Sequence, residues 1–117
     1  MYKYMASPYT APTPDLMDKR FDEAMRAAAW LLKRNIWVYS PIVHCHQMAI
    51  RYSLPKDHVY WKSYDTAMLL SSSGMLILTI EGWDKSSGIR DEQEVAEHYR
   101  YQIQHLRPFG LEYEIIG

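Results

Sequence analysis

The sequence predicts a doubly wound α/β domain, and three observations carry that expectation. Short apolar runs alternate with longer amphipathic stretches along the whole chain. Clusters of Pro, Gly, Ser and Asp punctuate the joins between them. One run, Met75 to Ile80, is broken only by Thr79, as expected of a central parallel strand covered on both faces.

Taken in order, Tyr2 to Ala6 reads as the first strand, closed by a turn cluster of Ser7, Pro8, Pro12 and Pro14. Asp15 is placed to cap a helix from about Leu16. Within it Leu16, Phe21, Ala24, Met25, Ala28, Ala29, Leu31 and Leu32 recur at three-to-four spacing and mark a buried face. Lys33, Arg34 and Asn35 close the helix, with positive charge where the dipole prefers it. Ile36 to Tyr39 forms a second strand, ended by Ser40 and Pro41, and a short helical turn is expected near His46 to Arg51. Asp57 caps a helix to about Leu70, which Ser71 to Gly74 break. Met75 to Ile80 is the third strand, followed by a loop from Glu81 to Ile89. Asp91 is expected to open a last helix that runs to about Leu106 and is stopped by Pro108 and Gly110; Leu111 to Ile116 is the final strand.

This order implies a single domain over residues 1–117: a small parallel sheet of about four to five strands, wound in the flavodoxin-like manner with helices on both faces. Crossovers should be right-handed. Ligands of such sheets bind beyond the carboxyl ends of the strands, which here means the loops at 7–14, 40–47 and 81–90.

Composition narrows the partners. The 117 residues include 13 basic and 14 acidic ones, a net charge of −1, and no basic block of the kind that tracks a phosphate backbone. A nucleic-acid polymer is therefore not expected, and a small molecule is. No stretch approaches the ~20 apolar residues of a membrane span, and the N-terminus lacks a charged-then-apolar leader. The lone Cys45 excludes an internal disulfide and fits a reducing, cytoplasmic setting. Ten Tyr and four Trp are many for this length, and suit a core of large side chains, a ring-stacking pocket or an interface.

The loop after the third strand holds the densest set of candidate groups: Gly82, Trp83, Asp84, Lys85, Ser86, Ser87, Gly88, Ile89, Arg90, Asp91 and Glu92. A helix start favours anions, and glycine lets backbone approach a ligand. The plain alternative is a capped turn, with Ser87 or Asp91 as cap and acids facing the dipole. His44 and His46 suggest a metal, but no further Cys or His completes a site, since His58, His98 and His105 are scattered. They fit better as pocket-lining hydrogen-bond donors. Cys45 has no nearby acid to orient a Cys–His pair. No metal or organic cofactor is implied.

Met5-Ala6-Ser7-Pro8-Tyr9, then Ser40-Pro41-Ile42, then Ser86-x-Gly88-x-x-x-Glu92-x-x-x-Ala96, each following a strand, together resemble the nucleoside 2-deoxyribosyltransferase-like superfamily. The nearest likeness is a small bacterial and phage branch of domains of unknown function, of the DUF1937 or DUF4406 type. The resemblance spans Tyr2 to about Ala96. It implies an enzyme that cleaves the N-glycosidic bond of a nucleoside or nucleoside 5′-monophosphate, with Glu92 as the nucleophile at C1′. A first-turn position would keep that carboxylate ionised. Six residues earlier, nucleoside transferases of the superfamily usually carry Asp, whereas this chain has Ser86. A hydroxyl donates to phosphate where a carboxylate repels it, which favours a monophosphate; nearby Asp84 could restore an acid. The resemblance further implies that Asp65 serves the base, that Tyr9 contacts the sugar or Glu92, and that Ser7, Pro8, Ser40, Ser87 and Gly88 lie on the substrate side; Arg90, just before Glu92, reaches either phosphate or solvent. Trp83 could stack on the base or belong to the core, while Trp61, Tyr60 and Tyr64 read as packing, within the subunit or between subunits of the expected homo-oligomer. Two rival functions are a nucleotide-sensing module without turnover and base exchange between nucleosides; a metal hydrolase built on His44 and His46 is a third.

Overall fold

Period-two alternation along the strands decides which helices the sheet can accept. The computed structural model describes residues 1–117. Its elements are β1 (Lys3–Ala6), α1 (Pro14–Lys33), β2 (Val38–Tyr39), α2 (Pro41–Arg51), α3 (His58–Leu70), β3 (Met75–Leu78), α4 (Ser87–His98), β4 (Ile103–Phe109) and β5 (Glu112–Ile116). A single 3₁₀ turn, Trp83–Lys85, stands between β3 and α4. The sheet order is β2-β1-β3-β4-β5, with β5 antiparallel to β4 and all other pairs parallel.

Met5, Leu76, Leu78 and Leu106 point to one face and pack on Phe21, Ala24, Ala27, Ala28 and Leu31 of α1. Tyr4, Ala6, Met75 and Ile77 point to the other and pack on Leu69 of α3 and on Ile89 and Ala96 of α4. Three alanines on the inner face of α1 let that helix lie close to the sheet. The buried stripe is narrower than its apolar residues suggest: Met25, Ala29 and Leu32 are exposed.

Several boundaries depart from expectation for local reasons. Thr13, not Asp15, caps α1: its Oγ1 accepts from Leu16 N at 3.2 Å, and Pro14 occupies a first-turn position that needs no N–H donor. Ser40 and Pro41 begin a full helix, α2, by the same device, with Ser40 Oγ accepting from Val43 N. Asp57 caps α3 as expected. The last helix does not run to Leu106; it ends at His98, and a further strand, β4, follows. From Tyr101 onward the chain alternates, with Tyr101 and Ile103 packed on one face and Leu106 on the other, and pairing with β3 satisfies the backbone there. Pro108 is tolerated because it lies past the last β3 partner of β4. The final strand is antiparallel because only Gly110 and Leu111 separate Phe109 from its partner Glu112, too few residues for a crossover.

The chain moves from β1 outward to β2, then returns past β1 to β3. Moves in opposite directions place α1 on one face and α3 and α4 on the other. They also open a crevice above the carboxyl ends of β1 and β3, the point where strand order reverses. No helix is long and apolar enough to cross a membrane.

Leu76 is a fully buried side chain at the centre of the α1 face. Leu76→Ala is expected to cost about 2–5 kcal/mol, seen as a lower urea midpoint with an unchanged slope.

Candidate functional site

The crevice at the strand reversal is a cavity of about 660 Å³, within the roughly 300–1,000 Å³ span of small-molecule sites. Four segments wall it: Ser7, Pro8 and Tyr9 after β1, Pro41, Ile42 and Cys45 of α2, Gly82 and Asp84 to Gly88 after β3, and one side of α3. Gly82 holds φ at +95°, and a Cβ there would meet the Arg20 guanidinium at 2.5 Å, so the β3–α4 turn needs glycine at this position.

Glu92 reaches the cavity floor through the phase of α4. Ser86, rather than Ser87 or Asp91, caps this helix, accepting from Ile89 N at 3.2 Å. Glu92 thus sits in the second turn, not the first, on one stripe with Ile89 and Ala96. Those neighbours are buried against the sheet, and the carboxyl is buried with them, 8% exposed. The Tyr4 hydroxyl donates to Glu92 Oε2. Burial outweighs that bond and pushes the Glu92 carboxyl up to about 8, with Asp65 and Asp91 adding repulsion. The expectation of a permanently ionised first-turn carboxylate is therefore overturned: distance from the helix end and loss of water act together against the charge.

Asp65 faces Glu92 from α3. It is 7% exposed, its Oδ1 has no hydrogen-bond partner, and burial lifts its carboxyl to about 7. His58, two helical turns before it, lies on the same side, with Nε2 3.4 Å from Asp91 Oδ2. One donor atom from each of His58, Asp65 and Glu92 lies within 4.8 Å of the other two. One imidazole and two carboxyls form a donor set that divalent cations also accept, and they are equally an acid–base cluster.

Tyr9 lines the opposite wall. Its hydroxyl is hydrogen-bonded to His46 Nδ1 at 2.5 Å, and His46 Nε2 lies 3.0 Å from Asp18 Oδ1. Burial, with the Asp18 charge and Cys45 in support, pushes the Tyr9 phenol up to about 12. Positive charge reaches the rim from Arg20, Lys56 and Lys85. Arg20 is held by its bond to Thr10 O at 2.7 Å. The Ser7 hydroxyl is buried with no protein partner.

Of the residues singled out in the sequence, Glu92, Asp65, Tyr9, Ser7, Pro8, Asp84, Ser86, Ser87 and Gly88 converge on the cavity. Five others do not line it. Ser40 is buried as the α2 cap. His44 is exposed on the outer side of α2, its ring tilted against Tyr39. His46 lies behind Tyr9, stacked on Phe21 at 4.6 Å, so it does not converge with His44 as metal ligands would. Trp83 turns into the second core cluster, edge-on to His105. Arg90 points to solvent from the outer side of α4. The indole at the cavity is Trp61, anchored by Nε1 donating to Pro55 O at 2.7 Å. Its signal was present: His58, Trp61 and Asp65 stand at i, i+3 and i+7 on one helix side. Tyr4 reads in the sequence as core strand, and its bond to Glu92, 88 residues away, leaves no local trace.

A family model described as a domain of unknown function (DUF1937) matches residues 2–106, and the chain belongs to that family. No curated protein matches it.

Because both folded-state values lie above the ordinary ones, the native protein binds extra protons at Asp65 and Glu92. Their contribution to stability is complete below about pH 4 and is lost as pH rises through about 7 to 8. Glu92→Gln keeps an acceptor for Tyr4 and removes the charge. Its melting temperature should match wild type near pH 5 and exceed it by at least about 4 °C at pH 9, as followed by circular dichroism.

Proposed function

We propose that this protein cleaves the N-glycosidic bond of a nucleoside 5′-monophosphate or nucleoside, with Glu92 as nucleophile. One observation carries the reading: a buried carboxyl on the floor of a sugar-sized cavity, facing a second carboxyl within 4.8 Å. Retaining glycosidases set their two carboxyls about 5–5.5 Å apart, whereas inverting enzymes need roughly 6.5–9.5 Å to seat a water between them. The short separation favours direct attack.

In the first step Glu92 forms a bond to C1′ as the C1′–N bond breaks, and its electron pair leaves with the base. Asp65, in its protonated form, supplies the proton the departing base needs. In the second step water attacks C1′, the ester to Glu92 opens, and the Asp65 carboxylate takes the water proton. Tyr4 holds Glu92 by one oxygen and steadies its charged form, as its hydroxyl already lowers the carboxyl against burial. Trp61 offers a ring face at the wall beside Asp65. The α4 N-terminus, the free proton of Ser86 and the cations Arg20, Lys56 and Lys85 support a phosphate at the 5′ end. No cofactor is needed. We place the reaction in the cytoplasm, where a lone thiol stays reduced. We read the exposed Val59, Tyr60 and Tyr64 of α3, beside the cavity, as a contact between subunits of a homo-oligomer.

A second reading, a nucleotide sensor without turnover, is favoured by one feature: a Glu92 carboxyl raised to about 8 holds its proton at neutral pH and is then no nucleophile. Release of free base from a panel of nucleosides and 5′-monophosphates separates the two. The catalytic reading expects release from at least one monophosphate, a fall of at least about 10³-fold in Glu92→Ala and Glu92→Gln, and about 10²-fold in Asp65→Asn. Binding without release selects the sensor.

The productive pair carries one proton, on Asp65, with Glu92 ionised; this is the less populated of the two one-proton forms, because Glu92, raised to about 8, holds the proton more tightly than Asp65, raised to about 7. Rate should therefore rise as pH climbs to about 7 and fall beyond about 8, a bell belonging to the pair rather than to either residue. A rate that climbs without decline to pH 10 would remove Asp65 as the acid.

A further inference from the structure

Asp18, His46 and Tyr9 form a chain from the protein surface to the cavity wall. None of the steps described above uses any of the three. Asp18 is on the outer side of α1, its side chain 60% exposed, while the His46 side chain is 4% exposed. The imidazole is clamped: Phe21 stacks on its face at 4.6 Å, and the Tyr9 ring meets it edge-on at 85°. Its two nitrogens are both engaged, Nε2 with Asp18 Oδ1 at 3.0 Å and Nδ1 with the Tyr9 hydroxyl at 2.5 Å.

We propose that Asp18 and His46 fix the polarity of the Tyr9 hydroxyl, so that it presents lone pairs to the cavity and accepts a hydrogen bond from a ligand hydroxyl. The chemistry runs inward from the surface. A carboxylate is an acceptor only, so His46 Nε2 must carry the hydrogen between them. In a neutral imidazole the other nitrogen, Nδ1, is then an acceptor. The phenolic hydrogen of Tyr9 is committed to it, which leaves oxygen lone pairs for the cavity side. A phenol free to rotate would take either a donor or an acceptor; this one takes a donor. On the glycosidic reading, on which the subsite rests, that donor is a pentose hydroxyl. Asp18 and His46 are positioning residues, since neither lines the cavity.

Nitrogen-15 spectra of the full chain, labelled at histidine, read the tautomer without any ligand. The expected signature is a protonated Nε2 and an unprotonated Nδ1 on His46. Asp18→Asn should keep it, because an amide oxygen still accepts, and Asp18→Ala should give mixed tautomers. Hydrogen on Nδ1 in the wild-type protein, in a neutral ring or an imidazolium, overturns the proposal. The ligand arm measures binding of the common nucleoside 5′-monophosphates against their 2′-deoxy and 3′-deoxy analogues. Loss of one of these hydroxyls should weaken binding about threefold to tenfold in wild type and Asp18→Asn. The difference should vanish in Tyr9→Phe and Asp18→Ala. Equal weakening of all analogues by Tyr9→Phe, or no discrimination by wild type, rejects the subsite. If no nucleoside or monophosphate binds, the glycosidic reading fails and takes the sugar subsite with it; the ligand-free tautomer tells that failure from an error in the chain itself.

Discussion

A carboxyl group held on an apolar helix stripe is the constraint on which the rest of the site depends. Ile89, Glu92 and Ala96 share the buried side of α4, and the two apolar residues belong to the packing that joins this helix to the sheet. What makes the burial of Glu92 tolerable is Tyr4, a fully buried phenol on β1 whose only polar atom is spent on that carboxyl. Burial raises the phenol's own pKa further, so it remains a donor across the working range. One hydrogen bond thus joins the first strand to the last of the covering helices.

Two neighbouring acids kept out of water have one cheap solution, which is to share protons. Asp65 has an oxygen with no partner, and Glu92 has one oxygen held by Tyr4. Both rise, Asp65 to about 7 and Glu92 to about 8. The arrangement sacrifices native stability at alkaline pH and keeps a proton donor beside a group that can become a nucleophile, a common trade at sites of chemistry. The cavity lining carries Arg20, Lys56, Lys85 and a helix start together with Asp57, Glu81 and Asp84, so charge of both signs surrounds the proton-sharing floor.

Much of this was legible in the chain because period two and period 3.6 differ sharply where residues are apolar. Met75 to Leu78 and Lys3 to Ala6 are strands in the sequence and in the structure, and Asp57 is a cap in both. The turn and helix start that carry Ser86, Gly88 and Glu92 stand at the strand end where doubly wound sheets bind ligands. Residues 101–106 were harder: Ile103 and Leu106 suit one helical face as well as opposite strand faces, and only the need of β3 for a parallel neighbour resolves them. Ser40-Pro41 resembles a stop and is a start, because a cap followed by proline ends one element and begins the next. Trp83, open between base and core in the sequence, packs in the core, and Trp61, read there as packing, lines the cavity. The contacts from Tyr4 to Glu92 and from Tyr9 to His46 join residues far apart in sequence, and no local pattern encodes them.

The proposed covalent step through Glu92 is open to a direct test. The protein is mixed with a monophosphate that releases base, quenched in acid within the turnover time, and digested for mass spectrometry. A mass gain of one pentose phosphate on the peptide that contains Glu92, absent from Glu92→Gln, is the predicted result. Base release with no adduct there, or with an adduct on another residue, would contradict the account.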